Sequence, residues 1–157
     1  MVGLFMPQKA LKTLNLTLRI EKNMTASKNI KVGIIGAGYV GLPLATSFAK
    51  HLSVKVYDIN AERINHLKND LSNLDELALY SLEELKPIKF TSKIADLNDC
   101  NVFIIAVPTP VDKAKNPDLF ALKSATRSVA GVMKKKDIII FESTVYPGCT
   151  EEICIPI

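Results

Sequence analysis

The sequence holds 157 residues, of which 48% are hydrophobic and 23% are charged, as in an ordinary globular domain. Its net charge of +4 comes entirely from residues 1–29, which hold five basic residues and one acidic residue, whereas residues 30–157 hold 15 of each. The neutral domain argues against a nucleic-acid or membrane-surface protein, and no apolar stretch approaches the ~20 residues that a transmembrane helix needs.

Residues 1–29 are predicted to be a disordered or non-native leader. They lack the charged start, apolar centre and small-residue cleavage site of a signal peptide, and they hold fewer Arg and Ser residues than a transit peptide. An upstream start codon, with Met24 as the natural first residue, is one explanation of this segment. The folded domain is therefore expected at residues 30–157.

From Lys31 onwards, short β-branched segments alternate with longer amphipathic ones. In chain order, the pattern predicts a strand at Lys31–Ile35, a helix at Val40–Lys50, a strand at Val54–Tyr57, a helix at Ala61–Leu71, partial helix within Asn73–Leu85, strands at Ile88–Phe90 and Val102–Val107, a helix at Leu119–Met133, a strand at Ile138–Phe141 and a short helix at Thr150–Ile157. This alternation predicts an α/β fold, a doubly wound parallel sheet (Rossmann) with helices on both faces. Because ligands bind such sheets at the carboxyl ends of the strands, the segments that follow the strands are the candidates for a site.

The first strand is followed by Gly36-Ala37-Gly38-Tyr39-Val40-Gly41, which matches the pattern G-x-G-x-x-G. The first glycine permits a tight turn, the second lets the backbone approach a pyrophosphate, and the third lets the helix pack closely on the strand. The helix N-terminus then directs unpaired N–H groups and partial positive charge at the phosphates. Glycines also serve ordinary turns, but this position between a strand and a helix favours dinucleotide binding. We therefore predict that Gly36, Gly38 and Gly41 shape a dinucleotide site.

Asp58 follows the second strand, 22 residues after Gly36, where a carboxylate accepts hydrogen bonds from the adenosine ribose. A 2′-phosphate would meet like charge there, so the sequence favours NAD over NADP as the cofactor. Asp58 could instead cap the following helix. Arg63, five residues further on, could reach the same ribose or lie on a solvated helix face.

Two further loops follow the fourth and fifth strands, with the sequences Val107-Pro108-Thr109-Pro110 and Glu142-Ser143-Thr144-Val145-Tyr146-Pro147-Gly148. In both, proline fixes the backbone and threonine offers a hydroxyl to a phosphate or a ribose. Together with Gly36–Ala45 (GAGYVGLPLA), these motifs resemble the UDP-glucose/GDP-mannose dehydrogenase family over about Ile30 to Ile157. The segment ESTVYPGCTEE is most similar to the bacterial branch that oxidises UDP-N-acetylglucosamine or UDP-N-acetylgalactosamine at C6, including enzymes of capsule and O-antigen synthesis.

The resemblance implies roles for individual residues around the adenosine half of NAD. Tyr39 and Val40 would offer backbone contacts to the pyrophosphate. Asp58 and Arg63 would lie at the adenosine ribose, which favours the ribose role of Arg63 over a solvated position.

The resemblance also implies roles for the two later loops. Thr109 would approach the central ribose-phosphate region of the cofactor, and Thr144 would lie near the nicotinamide half. Glu142 would be a carboxylate that orders its loop. The predicted cofactor-binding residues are therefore Gly36, Gly38, Tyr39, Val40, Gly41, Asp58, Arg63, Thr109 and Thr144.

The family reaction is a double oxidation in which two NAD molecules in succession take hydride from C6 and convert an alcohol to a carboxylate. A cysteine holds the aldehyde stage as a thiohemiacetal and then as a thioester. The resemblance implies that this cysteine and its assisting lysine, asparagine and acidic residues come after the STVYPG segment, in a homo-oligomeric full-length enzyme that binds a UDP-sugar. Because the sequence ends at Ile157, we expect an NAD-binding fragment without turnover, incomplete at the C-terminus, whose sheet is truncated after the fifth main strand. Ile138–Phe141 would then form an exposed apolar edge that favours self-association.

The three cysteines are an odd number without metal-type spacing, which fits a reducing cytosol better than a disulfide framework. Cys100 precedes the fourth strand, at the wrong end of the sheet for catalysis. Cys149 and Cys154 match no motif of the family nucleophile. We therefore predict no catalytic residue and no metal site in this chain, and a cytoplasmic location.

Two other functions are compatible with a glycine loop on this fold. A stand-alone NAD-sensing module without catalysis would have no need of a loop such as STVYPG that faces the nicotinamide. A hydroxyacyl-CoA or hydroxyacid dehydrogenase would share the glycine loop, but not VPTP followed by STVYPG. The order of the three motifs therefore favours a nucleotide-sugar 6-dehydrogenase.

Overall fold

The computed structural model describes residues 30–69, 82–113 and 116–157. The leader predicted at residues 1–29 lies outside these residues. So does most of the partly helical segment predicted at Asn73–Leu85, of which only the last turn is described.

The described residues form one sheet of five parallel strands. The strands are β1 (Lys31–Ile35), β2 (Ser53–Tyr57), β3 (Lys89–Thr91), β4 (Val102–Ile105) and β5 (Ile138–Phe141). Their order in the sheet is β3-β2-β1-β4-β5, so the direction of progress along the sheet reverses between β1 and β4. Such a switch point opens a crevice beyond the carboxyl ends of the strands, which is where ligands bind.

The last residues of the four strands around the switch point are in register. Ile35 of β1 pairs with Tyr57 of β2 on one side and with Ile105 of β4 on the other, and Ile105 pairs with Phe141 of β5. The next residue of each strand therefore begins a loop at the same level of one sheet edge. This register places the glycine loop, Asp58 and the two proline-containing loops side by side.

Short helices connect the strands. They are α1 (Gly41–Ala49), α2 (Ala61–Asn69), α3 (Leu82–Leu85) and α4 (Phe120–Ala130), with a 3₁₀ turn at Ile94–Leu97. A π-helical turn at Thr150–Cys154 follows β5. Pro43 lies in the first turn of α1, where the missing N–H leaves no helical hydrogen bond unmade. Helix α4 buries Leu122, Ala125 and Val129, whose spacing puts them on one face.

Both faces of the sheet carry a hydrophobic core, because successive strand residues point to opposite sides. Ile34 and Ile104 pack on the side of α1 and α2, whereas Ile35, Phe103 and Ile105 pack on the side of α4. All five are buried, and burial of a side chain of this size contributes about 1.5–3 kcal/mol. The predicted doubly wound α/β fold is therefore confirmed.

Some predicted boundaries differ from the structure. Strand β4 ends at Ile105 rather than Val107, because beyond Ala106 the chain enters the loop containing Pro108 and Pro110. Helix α4 ends at Ala130, since glycine at position 131 disfavours continuing the helix, and the predicted final helix at Thr150–Ile157 is a π-helical turn at Thr150–Cys154.

Two elements were not anticipated from the sequence pattern. One is the 3₁₀ turn before β4, which inserts Leu97 into the core on the α4 side. The other is an antiparallel bridge between Val111 and Pro117 in the connection from β4 to α4. Within the described ranges, no helix is long and apolar enough to cross a membrane.

Candidate functional site

The three glycines of the loop between β1 and α1 differ in the space around them, as a Cβ atom placed at each position shows. Gly36 has a positive φ of 103°, and a Cβ there would lie 2.7 Å from the Ala106 carbonyl oxygen. A Cβ at Gly41 would lie 1.8 Å from the Gly36 carbonyl oxygen, so any other residue would force the helix away from the turn. A Cβ at Gly38 would have no atom within 4 Å other than those of its two neighbours in the chain.

Gly38 therefore differs from the other two glycines in kind. The protein itself gives no packing reason for glycine at this position, and the backbone here borders open space at the switch point. A diphosphate needs such an approach to the backbone amides at the start of a helix. The loop thus fits a dinucleotide, with Gly36 and Gly41 shaping the turn and Gly38 leaving room for the ligand.

Asp58, at the end of β2, is oriented by backbone groups on both sides. Its Oδ2 accepts a 2.8 Å hydrogen bond from the Ala37 N–H in the glycine loop, and its Oδ1 accepts a 2.9 Å bond from the Asn60 N–H. Each carboxylate oxygen has a second lone pair, so the group can still accept from the hydroxyls of a ribose. The carboxylate is half-buried beside the loop, as the predicted ribose contact requires.

Asp58 does not cap the helix that follows it, which was the alternative role considered for this residue. The side chain that caps α2 belongs to Asn60, whose Oδ1 accepts a 3.0 Å hydrogen bond from the Arg63 N–H. The sequence does carry this signal, because asparagine is a favoured residue just before a helix.

Arg63 is neither wholly solvated nor independent of the glycine loop. Its Nε donates a 2.7 Å hydrogen bond to the Ala37 carbonyl oxygen. The side chain thus crosses from the first turn of α2 to the loop after β1. Arg63 and Asp58 approach the same part of the loop, as the predicted adenosine end of the site requires.

The loops after β4 and β5 are joined by two hydrogen bonds. The Thr109 hydroxyl donates to the Thr144 carbonyl oxygen, and the Ser143 hydroxyl donates to the Val107 carbonyl oxygen at 2.7 Å. The Thr109 hydroxyl proton is therefore used within the protein, which leaves its oxygen as an acceptor. The Thr144 side chain is exposed at the same edge.

The remaining residues named in the sequence analysis also lie at this edge of the sheet, and the loop-ordering role of the Glu142 carboxylate stays a prediction. Tyr39 and Val40 are largely exposed at the turn of the glycine loop, immediately before α1. Glu142 donates its backbone N–H to the Ile105 carbonyl oxygen at 2.9 Å, which extends the pairing of β5 with β4 by one residue. The structure therefore gathers all nine predicted residues along the carboxyl edge of four neighbouring strands.

Ser143 was not singled out by the sequence analysis. Serine in a loop is common, and nothing in the sequence indicates that its hydroxyl would reach a carbonyl 36 residues earlier. The Ser143–Val107 and Thr109–Thr144 bonds run in opposite directions between the two loops. Together they hold the two loops as one unit.

The cysteines are remote from solvent. Cys100, Cys149 and Cys154 are free and buried, and burial raises the pKa of the Cys100 thiol to about 11. Burial also raises the pKa of Cys154. A nucleophilic cysteine needs the opposite environment, one that favours the thiolate. Within the described residues, no group of three or more His, Cys, Asp or Glu side chains could hold a metal ion.

The chain is similar to known proteins over nearly all of its described length. Residues 30–157 match the family described as the UDP-glucose/GDP-mannose dehydrogenase family, NAD binding domain. The sequence is 48% identical over 130 residues to the UDP-N-acetyl-D-glucosamine 6-dehydrogenase of Pseudomonas aeruginosa, which covers 83% of this chain and 31% of that protein. It is 43% identical over 129 residues to Protein CapL of Staphylococcus aureus, covering 82% of this chain and 30% of that protein.

The fold is also similar to that of solved structures. The structure of UDP-D-ManNAc dehydrogenase from Pyrococcus horikoshii superimposes with a TM-score of 0.69 at 36% identity, covering 79% of this chain and 31% of that one. The chain thus spans about a third of the length of the relatives that it matches.

Proposed function

Because the chain belongs to the UDP-glucose/GDP-mannose dehydrogenase family through its NAD-binding domain, we propose that it is the cofactor-binding part of a nucleotide-sugar 6-dehydrogenase. The whole enzyme would oxidise C6 of a UDP-N-acetylhexosamine to a carboxylate in two NAD-dependent steps, for surface polysaccharide synthesis. The identity to a UDP-N-acetyl-D-glucosamine 6-dehydrogenase supports this substrate class. We also propose that the whole enzyme is a homo-oligomer and that it binds a UDP-sugar as its substrate.

The observation that carries the proposal is the open space at Gly38 beside the Asp58 carboxylate. In this arrangement the amides of the glycine loop and the start of α1 would hold the diphosphate of NAD. Asp58 would accept hydrogen bonds from the adenosine ribose, with Arg63 beside it. Thr109 would approach the central ribose-phosphate region and Thr144 would lie near the nicotinamide half, held in position by the bonds between their loops.

When bound, NAD supplies the hydride acceptor for each oxidation at C6. The protein's contribution in this chain is to bind and orient the cofactor at the sheet edge. The three unpaired cysteines are compatible with the reducing cytoplasm, where we place the enzyme. Because all three are buried, we expect this chain to bind NAD but to produce no NADH when UDP-N-acetylglucosamine is added.

The test is a calorimetric titration with NAD of the wild-type chain and of the Gly38→Ala variant. The added methyl group meets no atom beyond the adjacent residues of the chain, so the melting temperature should be unchanged. It would occupy the diphosphate approach, so we expect NAD affinity to fall roughly tenfold or more. Unchanged affinity in Gly38→Ala would remove the site assignment.

The matched control is Gly41→Ala, which adds the same methyl group three residues later. Here the methyl group would overlap the Gly36 carbonyl oxygen, so the melting temperature should fall whether or not a ligand binds. A parallel titration of the wild-type chain with NADP tests the role of the Asp58 charge. We expect NAD to bind more tightly than NADP, and equal affinity would contradict that role.

A further inference from the structure

Both backbone polar groups of one loop residue are bound by side chains that follow the neighbouring strand. The Ala37 N–H donates to Asp58 Oδ2 at 2.8 Å, and the Ala37 carbonyl oxygen accepts from Arg63 Nε at 2.7 Å. Ala37 lies between Gly36 and Gly38, and its side chain is fully buried. Its peptide groups are therefore oriented by residues 21 and 26 positions further along the chain.

These two hydrogen bonds restrict the conformation of a glycine-rich loop, which affects the free energy of ligand binding. Glycine on either side gives the loop more backbone freedom than other residues would, and that freedom has to be lost when a ligand binds. A loop already held in its binding conformation loses less entropy on binding and so binds more tightly. The hydrogen bonds to Ala37 act on the residue immediately before Gly38, where the diphosphate would approach.

The position of Arg63 is fixed at both its backbone and its side chain. Its backbone N–H donates to Asn60 Oδ1, the side chain that caps α2, so its Cα is fixed by the first turn of a helix. From that position its Nε reaches the Ala37 carbonyl oxygen in the loop that follows the neighbouring strand β1. The guanidinium group thus connects the start of α2 to the glycine loop.

We propose that Arg63 is a positioning residue that acts through Ala37, holding the glycine loop in its diphosphate-binding conformation before the cofactor arrives. This inference rests on the proposed NAD site and extends it, because it gives Arg63 a task distinct from contact with the ribose. The essential group is then the Nε–H donor rather than the positive charge at the end of the side chain.

Two substitutions of similar size separate the donor from the charge. In Arg63→Gln, the side-chain nitrogen Nε2 is the same number of bonds from Cα as the arginine Nε, so the bond to Ala37 can form without the charge. In Arg63→Met, neither the donor nor the charge remains. We expect Arg63→Met to weaken NAD binding up to about tenfold, the effect of one hydrogen bond, and Arg63→Gln to recover most of that loss. Equal loss in both variants would assign the effect to the guanidinium contact with the ribose and overturn the proposal.

A second measurement examines the loop in the absence of any ligand. Amide hydrogen exchange should be faster at Ala37 and Leu42, whose N–H groups donate to Asp58 Oδ2 and to the Gly38 carbonyl oxygen, in Arg63→Met than in the wild-type chain or in Arg63→Gln. Amides of β1 serve as the internal reference, because faster exchange there as well would indicate general destabilisation and contradict the positioning role. If the wild-type chain failed to bind NAD, the proposed function would fail, whereas this exchange comparison would still decide whether Arg63 holds the loop.

Discussion

The three cysteines lie in the hydrophobic core, and their burial has a measurable consequence at the scale of the single residue. With its pKa raised to about 11, Cys100 would be thiolate in roughly one molecule in a thousand at pH 8. We expect the native chain to react with a water-soluble disulfide reagent at least about 100-fold more slowly than the chain in guanidinium chloride, where all three thiols should react. A thiol that reacts within seconds in the native state would contradict this burial.

For Asp58 and Arg63, the sequence predicts the position near the site but not the hydrogen bonds that each side chain makes. The distance of Asp58 from the glycine loop is enough to predict a carboxylate at the end of a strand, because parallel strands bring their carboxyl ends together. The hydrogen bonds to Ala37 could not be predicted, since they depend on the relative position of β1 and the first turn of α2. Arg63 was therefore predicted near the site, without its contact to the loop.

At the scale of elements, one ion-pair cluster connects the start of β1 and the middle of β2 with the turn before β4. Asp99 lies 3.0 Å from Lys31 Nζ in β1 and 2.6 Å from Lys55 Nζ in β2. Hydrogen bonds from Lys55 and then Lys31 lower the pKa of Asp99 to about 2. This cluster lies at the edge of the sheet opposite the candidate site.

The lowered pKa predicts a pH dependence of stability. Because the folded pKa lies below the ordinary value of 3.8, the contribution of Asp99 is complete above about pH 4 and is lost as the pH falls towards 2. The Asp99 side chain is 48% exposed, so we expect its effect to be less than about 1 kcal/mol. The difference in unfolding free energy between the wild-type chain and Asp99→Asn should therefore disappear between pH 4 and pH 2.

Chemical denaturation at a series of pH values provides the measurement. Glu83→Gln, which changes an exposed carboxylate of α3, is the control for a general effect of removing one negative charge. A difference between wild type and Asp99→Asn that stays constant down to pH 2 would contradict the role of the ion pairs.

The accuracy of the sequence prediction varies with the kind of element. Strands β1 and β5 have the predicted bounds, because each is a compact run of β-branched or apolar residues that is closed by polar or glycine residues. The 3₁₀ turn at Ile94–Leu97 was missed because four residues are too few to display a helical period. The bridge between Val111 and Pro117 was missed because a proline and a single pair of residues do not have the alternation of a strand.

At the scale of the whole molecule, β5 lies at one side of the sheet and pairs only with β4 among the described residues. Its four residues are all apolar, and Ile138 is 38% exposed. An apolar edge strand offers backbone groups to another chain, so we expect this chain to self-associate as its concentration rises. Light scattering should show that Ile138→Lys reduces this association.

The control for that experiment places the same charge on a different apolar surface. Val111 is 65% exposed in the connection after β4 and is not part of β5, so Val111→Lys adds an equal charge without changing a residue of that strand. We expect this variant to associate as the wild-type chain does. A wild-type chain that remains monomeric at high concentration, or an equal effect of the two lysines, would contradict association through β5.

The two backbone contacts of Asp58 limit how the cofactor preference of this fold can be redesigned. A change from NAD to NADP is usually approached by replacing the acidic residue after β2, since its charge repels the 2′-phosphate. Here the same carboxylate also accepts the N–H groups of Ala37 and Asn60, so its removal leaves both without their acceptor. An engineered NADP enzyme built on this domain would therefore need a neutral replacement acceptor for the glycine loop as well as a new cation for the phosphate.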